Sequence, residues 1–221
     1  MTAFALLLGI GNEAEAQKAG KTTRYWDCAK VSASWPGKAS VTSPVKTCAK
    51  DGITVLSATT PGSANGGAAY TCNNNQPWAV NSTLAYGFAA ANLQGLTEAN
   101  WSCACYELTF NSGPVNGKKM VVQAINTGGD LGANHFGLLI PGAGVGIFNA
   151  CTSQWNAPAD GWGARYGGIS SKSQCQTLPP QLQPGCNWRF DWFLNADNPT
   201  LTFVPVACPA AITMKSGCIR K

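Results

Sequence analysis

The chain has 221 residues, of which 45% are hydrophobic and only 11% charged, with a formal net charge of +5. Roughly 25% charge is usual in a soluble domain, so so few charges with so much apolar content exclude a disordered or coiled-coil chain. The 15 basic residues are scattered without a cluster, which sets nucleic acid aside, and no apolar run reaches the roughly 18 residues of a membrane span.

At the amino end, Ala3-Phe4-Ala5-Leu6-Leu7-Leu8-Gly9-Ile10 resembles the apolar stretch of a secretion signal, and Glu13-Ala14-Glu15-Ala16 resembles the spacer of a secretion leader. Residues 1–20 are therefore set apart as a leader remnant or disordered tail. From residue 21 to 221 there is no repeat, linker or change of composition, so one domain is expected. Gly 25 and Pro 13 favour turns over long helices. A helix is expected over Thr83–Leu93, where Leu84, Phe88 and Ala91 share a face. The period-two alternation of Cys103–Phe110 marks a strand. Further strands are expected at Lys119–Ala124, Phe136–Ile140, Trp188–Phe193 and Thr200–Val206. The fold expected from these elements is β-rich, a barrel with long loops and few short helices.

The ten cysteines include no C-x-x-C pair and stand beside a single histidine, His135. That spacing disfavours a zinc site and favours five disulfides in a secreted protein, with the pairing open. The sequons Asn81-Ser82-Thr83 and Asn100-Trp101-Ser102 fit secretion.

Outside the leader the chain holds eight carboxylates. Asp27 follows Tyr25 and Trp26, and aromatic faces beside a partly desolvated carboxylate suit a sugar-cleaving site. A turn or ion-pair role for Asp27 fits equally well. Asp130 lies in Thr127-Gly128-Gly129-Asp130-Leu131-Gly132, a loop able to approach a ligand closely or to form an Asx turn. Asp191 is expected to pair with Arg189 in a strand, and Asp197 to sit in a turn before Pro199. Asp51, Asp160 and Glu98 are expected at the surface, and Glu107 on a strand. Gly142–Gly146 lacks phosphate-loop spacing and reads as a tight turn between strands.

Thr22-Thr23-Arg24-Tyr25-Trp26-Asp27-Cys28 resembles the start of the family 45 glycoside hydrolases, which are secreted endoglucanases. Further matching blocks include Gln76–Asn81, Cys103–Phe110, Thr127–Phe136, Tyr166–Ser170 and Trp188–Pro199. The resemblance implies a six-stranded double-psi β-barrel with long loops around an open groove. It implies inverting hydrolysis of internal β-1,4-glucosidic bonds, in which one carboxylate activates water and another protonates the leaving oxygen. Asp27 matches the base and Asp130 an auxiliary aspartate. Tyr25, Trp35 and Tyr166 match sugar-binding residues. No metal or organic cofactor is implied, and a monomer acting on a β-1,4-glucan is expected.

Two departures from the family pattern stand out. The family's general acid follows Asn134-His135-Phe136, where this chain has Gly137. Loss of general acid catalysis typically costs roughly 10²–10⁴-fold. Asp130 or His135 as a substitute donor, or a weakened enzyme, are the outcomes that follow. A non-hydrolytic, expansin-like glucan binder is the competing reading. The second departure is Ala29, Ala33, Ser63 and Ser102 at four positions where the family carries two more bridges. The resemblance implies that the remaining ten pair as Cys28–Cys151, Cys48–Cys72, Cys103–Cys218, Cys105–Cys208 and Cys175–Cys186.

Overall fold

A computed structural model describes residues 16–221. In chain order its strands are β1 (Lys18–Tyr25), β2 (Thr47–Cys48), β3 (Val55–Leu56), β4 (Trp78–Ala79) and β5 (Leu84–Asn92), then β6 (Cys105–Phe110), β7 (Lys119–Asn126), β8 (His135–Leu139) and β9 (Thr200–Val206). Six of them close a barrel in the order β5-β7-β6-β9-β1-β8, with β8 returning to pair with β5. The β1/β8 and β5/β7 pairs are parallel and the other barrel pairs antiparallel. This is the six-stranded double-psi barrel that the resemblance implies. β4 extends the sheet beside β5, and β2 and β3 form a separate two-stranded ribbon.

The leader segment as read from the sequence lies, up to residue 15, outside the described residues. Residues 18–20, set aside with it, belong to β1 and pair in turn with Phe203, Thr202 and Leu201 of β9.

Two elements differ from expectation. The segment expected as a helix at Thr83–Leu93 is strand β5. Spacings of four are shared by a helix face and a strand face, so Leu84 and Phe88 could not separate the two. Tertiary packing decides: Ala85, Ala89 and Ala91 are buried with Met120, Val122 and Ala124 of the neighbouring strand. A Cβ at Gly87 would stand 2.5 Å from the Met120 methyl, which would have to turn aside to admit it. The stretch expected as a strand at Trp188–Phe193 instead ends a helix, α3 by chain order after α1 (Glu98–Trp101) and α2 (Cys151–Trp155), spanning Gln183–Asp191. Trp188 and Trp192 stack at 5.2 Å and 12° across this helix end, the i, i+4 spacing of a helical face. The helix also separates Asp191 from Arg189. Asp191 pairs with Lys172 at 2.7 Å. Arg189 is 2% exposed and binds the Gly142 carbonyl and Asn195. A fourth helix, α4, covers Ala210–Ser216.

The barrel interior is apolar. On β8, Phe136 and Leu138 pack inward with Leu108, Leu201 and Phe203. His135 and Gly137, one residue out of phase, face the other way into a cleft. Five disulfides lock the loops: Cys28–Cys151, Cys48–Cys72, Cys103–Cys218, Cys105–Cys208 and Cys175–Cys186. No helix among the described residues is long and apolar enough to cross a membrane.

Candidate active site

A cleft of about 530 Å³ opens where β1 and β8 run side by side. Its walls come from the end of β1, from β8, and from the loops at 126–131, 143–148 and 165–167. β1 and β8 are in parallel register, with Thr23 opposite Gly137 and Tyr25 opposite Leu139. Thr23, Tyr25, His135 and Gly137 therefore share one wall.

Asp27 lies just past the end of β1, half-buried in the cleft lining. Backbone contacts fix it in place. The Trp26 amide donates to the Gly144 carbonyl at 2.7 Å, the Ala150 amide to the Asp27 carbonyl at 2.9 Å, and Cys28 is bridged to Cys151. Cys28 takes φ 62, a left-handed turn that sends the chain away from the strand. One Asp27 carboxylate oxygen accepts the Ala29 amide at 3.0 Å. Burial raises the carboxyl from its ordinary 3.8 to about 7, against the opposing pull of that amide. A carboxylate so tuned accepts a proton near neutrality far more readily than an exposed one.

Tyr25 stands beside it. Its hydroxyl accepts Asn126 Nδ2 at 2.9 Å, and Asn126 Oδ1 in turn accepts the Ser32 amide at 2.8 Å. Burial, then the charge of Asp27, pushes the phenol well above its usual range, so it stays protonated. His135 is buried, with Nε2 3.0 Å from the Thr23 hydroxyl and Nδ1 without a hydrogen-bond partner. Burial first, and the nearby Lys21 charge second, hold this imidazole below its ordinary range, while Asp130 pulls the other way.

Gly137 lies in the wall opposite Thr23. A Cβ built there would meet Tyr25 at 3.4 and 3.5 Å and the Ala90 methyl at 3.5 Å, which are ordinary contacts. A Cβ at this position is therefore tolerated on the cleft wall. Asp130 lies exposed on the loop above and also lines the cleft. Tyr166 is 67% exposed at the tip of the 164–168 hairpin and lines the far rim.

Trp35 is not among the residues lining the cleft. It is half-buried behind Lys30, whose ammonium sits 3.3 Å from the indole centroid and donates to the Ala58 and Thr60 carbonyls at 2.6 and 2.9 Å. One face of that indole is thus already occupied by a cation. Lys30 itself lines the cleft, and its burial lowers its basicity.

The remaining acids are paired or capped. Arg24 holds Asp197 at 2.8 Å, Arg165 holds Asp160, Lys38 holds Glu98 and Lys119 holds Glu107. Asp51 accepts the Ile53 and Thr54 amides. Gly142–Gly146 is a turn as expected, but it leads into α2, not a strand, and Gly144 in it needs to be glycine. At φ 97 it lets the 165–167 backbone come close, where a Cβ would stand 2.6 Å from the Arg165 carbonyl. Thr23, Lys30 and Asn126 are cleft residues that sequence reasoning did not single out. Thr23 could have been found from strand parity with Tyr25. Asn126 could not, because its partners are 101 and 94 residues away. Among the described residues no group of three or more His, Cys, Asp or Glu side chains is placed to hold a metal ion.

Comparison with known proteins gives a consistent result. The model of glycosyl hydrolase family 45 matches residues 19–219. An endoglucanase of Cryptopygus antarcticus is 54% identical over all of this chain and 98% of its own length. A putative endoglucanase type K of Fusarium oxysporum is also 54% identical, and this chain spans 59% of its length. The crystal structure of a cellulase from the same Antarctic springtail superposes with a TM-score of 0.90 at 56% identity, covering 93% of this chain and 98% of that one.

Proposed function

Because the chain belongs to glycosyl hydrolase family 45, we propose that it is an endoglucanase that cleaves internal β-1,4-glucosidic bonds of a β-glucan with inversion, slowed by the lack of a side-chain acid at Gly137. In this reading Asp27 removes a proton from water as the water attacks the anomeric carbon. The leaving oxygen must be protonated from the opposite side, where inverting enzymes place an acid roughly 6.5–9.5 Å from the base. Asp130 assists from the loop above. Tyr25 and Tyr166 present aromatic surface to sugar rings from the cleft lining, whereas Trp35 lies outside it with one face covered by Lys30. The activity needs no cofactor, the protein works as a secreted monomer, and its five disulfides suit an oxidising compartment.

The observation that carries the reading is Asp27, held by backbone contacts at the cleft lining with its carboxyl raised to about 7. The test is release of reducing ends from amorphous cellulose by the parent and by Asp27→Asn, with the anomeric form of the first product followed by NMR. Turnover that survives Asp27→Asn, or product with retained configuration, would refute the assignment. Gly137 favours a second reading, a non-hydrolytic, expansin-like binder. Saturable cello-oligosaccharide binding with no turnover in the parent would support it instead.

A further inference from the structure

The cleft wall around Gly137 has mixed chemistry. The Tyr25 ring and the Ala90 methyl flank it on the apolar side. On the polar side stand the Thr23 hydroxyl and His135, which is 6% exposed and whose Nδ1 has no hydrogen-bond partner. All five residues line the one cleft that also holds Asp27. The charges of Lys21 and of Asp130 on the loop act on His135 with opposite signs.

We propose that the cleft beside Gly137, where no side chain projects, binds a small carboxylic acid, of the size of formate or acetate, and that the bound acid protonates the departing glycosidic oxygen in place of a side chain. The inference rests on the assignment of Gly137 as the position of the missing acid. The acid's O–H proton passes to the glycosidic oxygen as the bond from that oxygen to the anomeric carbon breaks, and the bonding pair stays with the oxygen. Water forms the new bond to carbon from the other side and loses a proton to Asp27. The acid is left as carboxylate, and Asp27 returns its proton through solvent to regenerate it. One water is consumed and nothing is oxidised or reduced. The carboxyl can come from the medium or be carried on the glucan itself.

Initial rates on a neutral cello-oligosaccharide, measured in carboxylate-free buffer at fixed pH and ionic strength with added sodium formate, test the proposal. Carboxymethylcellulose without formate tests the substrate-borne source. The variants are Gly137→Asp, Gly137→Ala and Gly137→Leu. Leucine occupies the space beside position 137, and alanine serves should leucine prevent folding. The parent rate is expected to rise saturably by about 10-fold or more, a share of what general acid catalysis contributes. Gly137→Leu is expected to show no rise, Gly137→Ala a smaller one, and Gly137→Asp to be fast without formate and unmoved by it. A substrate-borne carboxyl would make the parent, but not Gly137→Leu, faster on carboxymethylcellulose than on the neutral glucan. A flat parent response on both substrates, with Gly137→Asp gaining activity, overturns the acid site and leaves the Gly137 assignment standing. Equal rises in parent and Gly137→Leu mark a medium effect and also overturn it. No formate response and no gain in Gly137→Asp overturns the underlying assignment as well.

Discussion

Replacing Asp27 by asparagine should abolish turnover and at the same time stabilise the protein, but only at neutral and higher pH. The native carboxyl is raised from 3.8 to about 7, chiefly by burial. Below pH ~4 native and unfolded chains both hold the proton, so the group contributes nothing to the pH dependence. Between those values the native state keeps a proton that the unfolded chain has released, so stability falls as pH rises. The loss is complete once the pH passes about 7. A shift of this size corresponds to about 4 kcal/mol at most, and water at the cleft lining screens part of it, which leaves about 2 kcal/mol. Asparagine has nearly the same shape, and its Oδ1 can keep the Ala29 amide bond. It carries no charge to desolvate. Denaturant unfolding of parent and Asp27→Asn under non-reducing conditions should coincide at pH 3.5. At pH 8 the midpoint of the variant should be higher. Equal midpoints at pH 8, or a variant weaker at both pH values, would refute the account of Asp27 as a desolvated carboxylate.

The same group sets the acid limb of the reaction: kcat/KM should fall with decreasing pH around about 7, and a limb two or more units lower would contradict the assigned environment. Asn126→Ala unpairs the Tyr25 hydroxyl and the Ser32 amide together. It should cost about 1–3 kcal/mol in chemical denaturation and raise KM, and an unchanged KM would separate Asn126 from the sugar site. If, as the resemblance implies, Ala29 with Ser63 and Ala33 with Ser102 replace two family bridges, the amides from Tyr25 to Trp35 should exchange faster than those of β6 and β7. The pair Ala29→Cys with Ser63→Cys should form a disulfide and add roughly 2–4 kcal/mol. Equal exchange rates, or a bridge without stabilisation, would count against a loosened groove rim.

How much of this was readable from the chain differs from element to element. The strands β6, β7, β8 and β9 were legible because alternation reports burial on one face, and that signal is local. Strand β5 and helix α3 were not. Alanine-rich β5 carries little preference of its own, and it is a strand because β7 and β8 supply pairing partners on both sides. Trp188, Phe190 and Trp192 alternate like a strand, yet the two tryptophans also lie one helical turn apart, and the stack they form decides. Asp27, Asp130 and Gly137 could be located from linear motifs. Their environment could not, since the contacts that hold Asp27 in the cleft lining come from Gly144 and Ala150, more than a hundred residues along the chain. Trp35 shows the same limit: its indole is recognisable in sequence, but only the fold puts the Lys30 ammonium over its face. Local order, cysteine content and candidate chemistry are properties of neighbouring residues and belong to the sequence. Which side chains lose water, and which of their atoms meet, depends on contacts across a hundred residues and belongs to the tertiary structure.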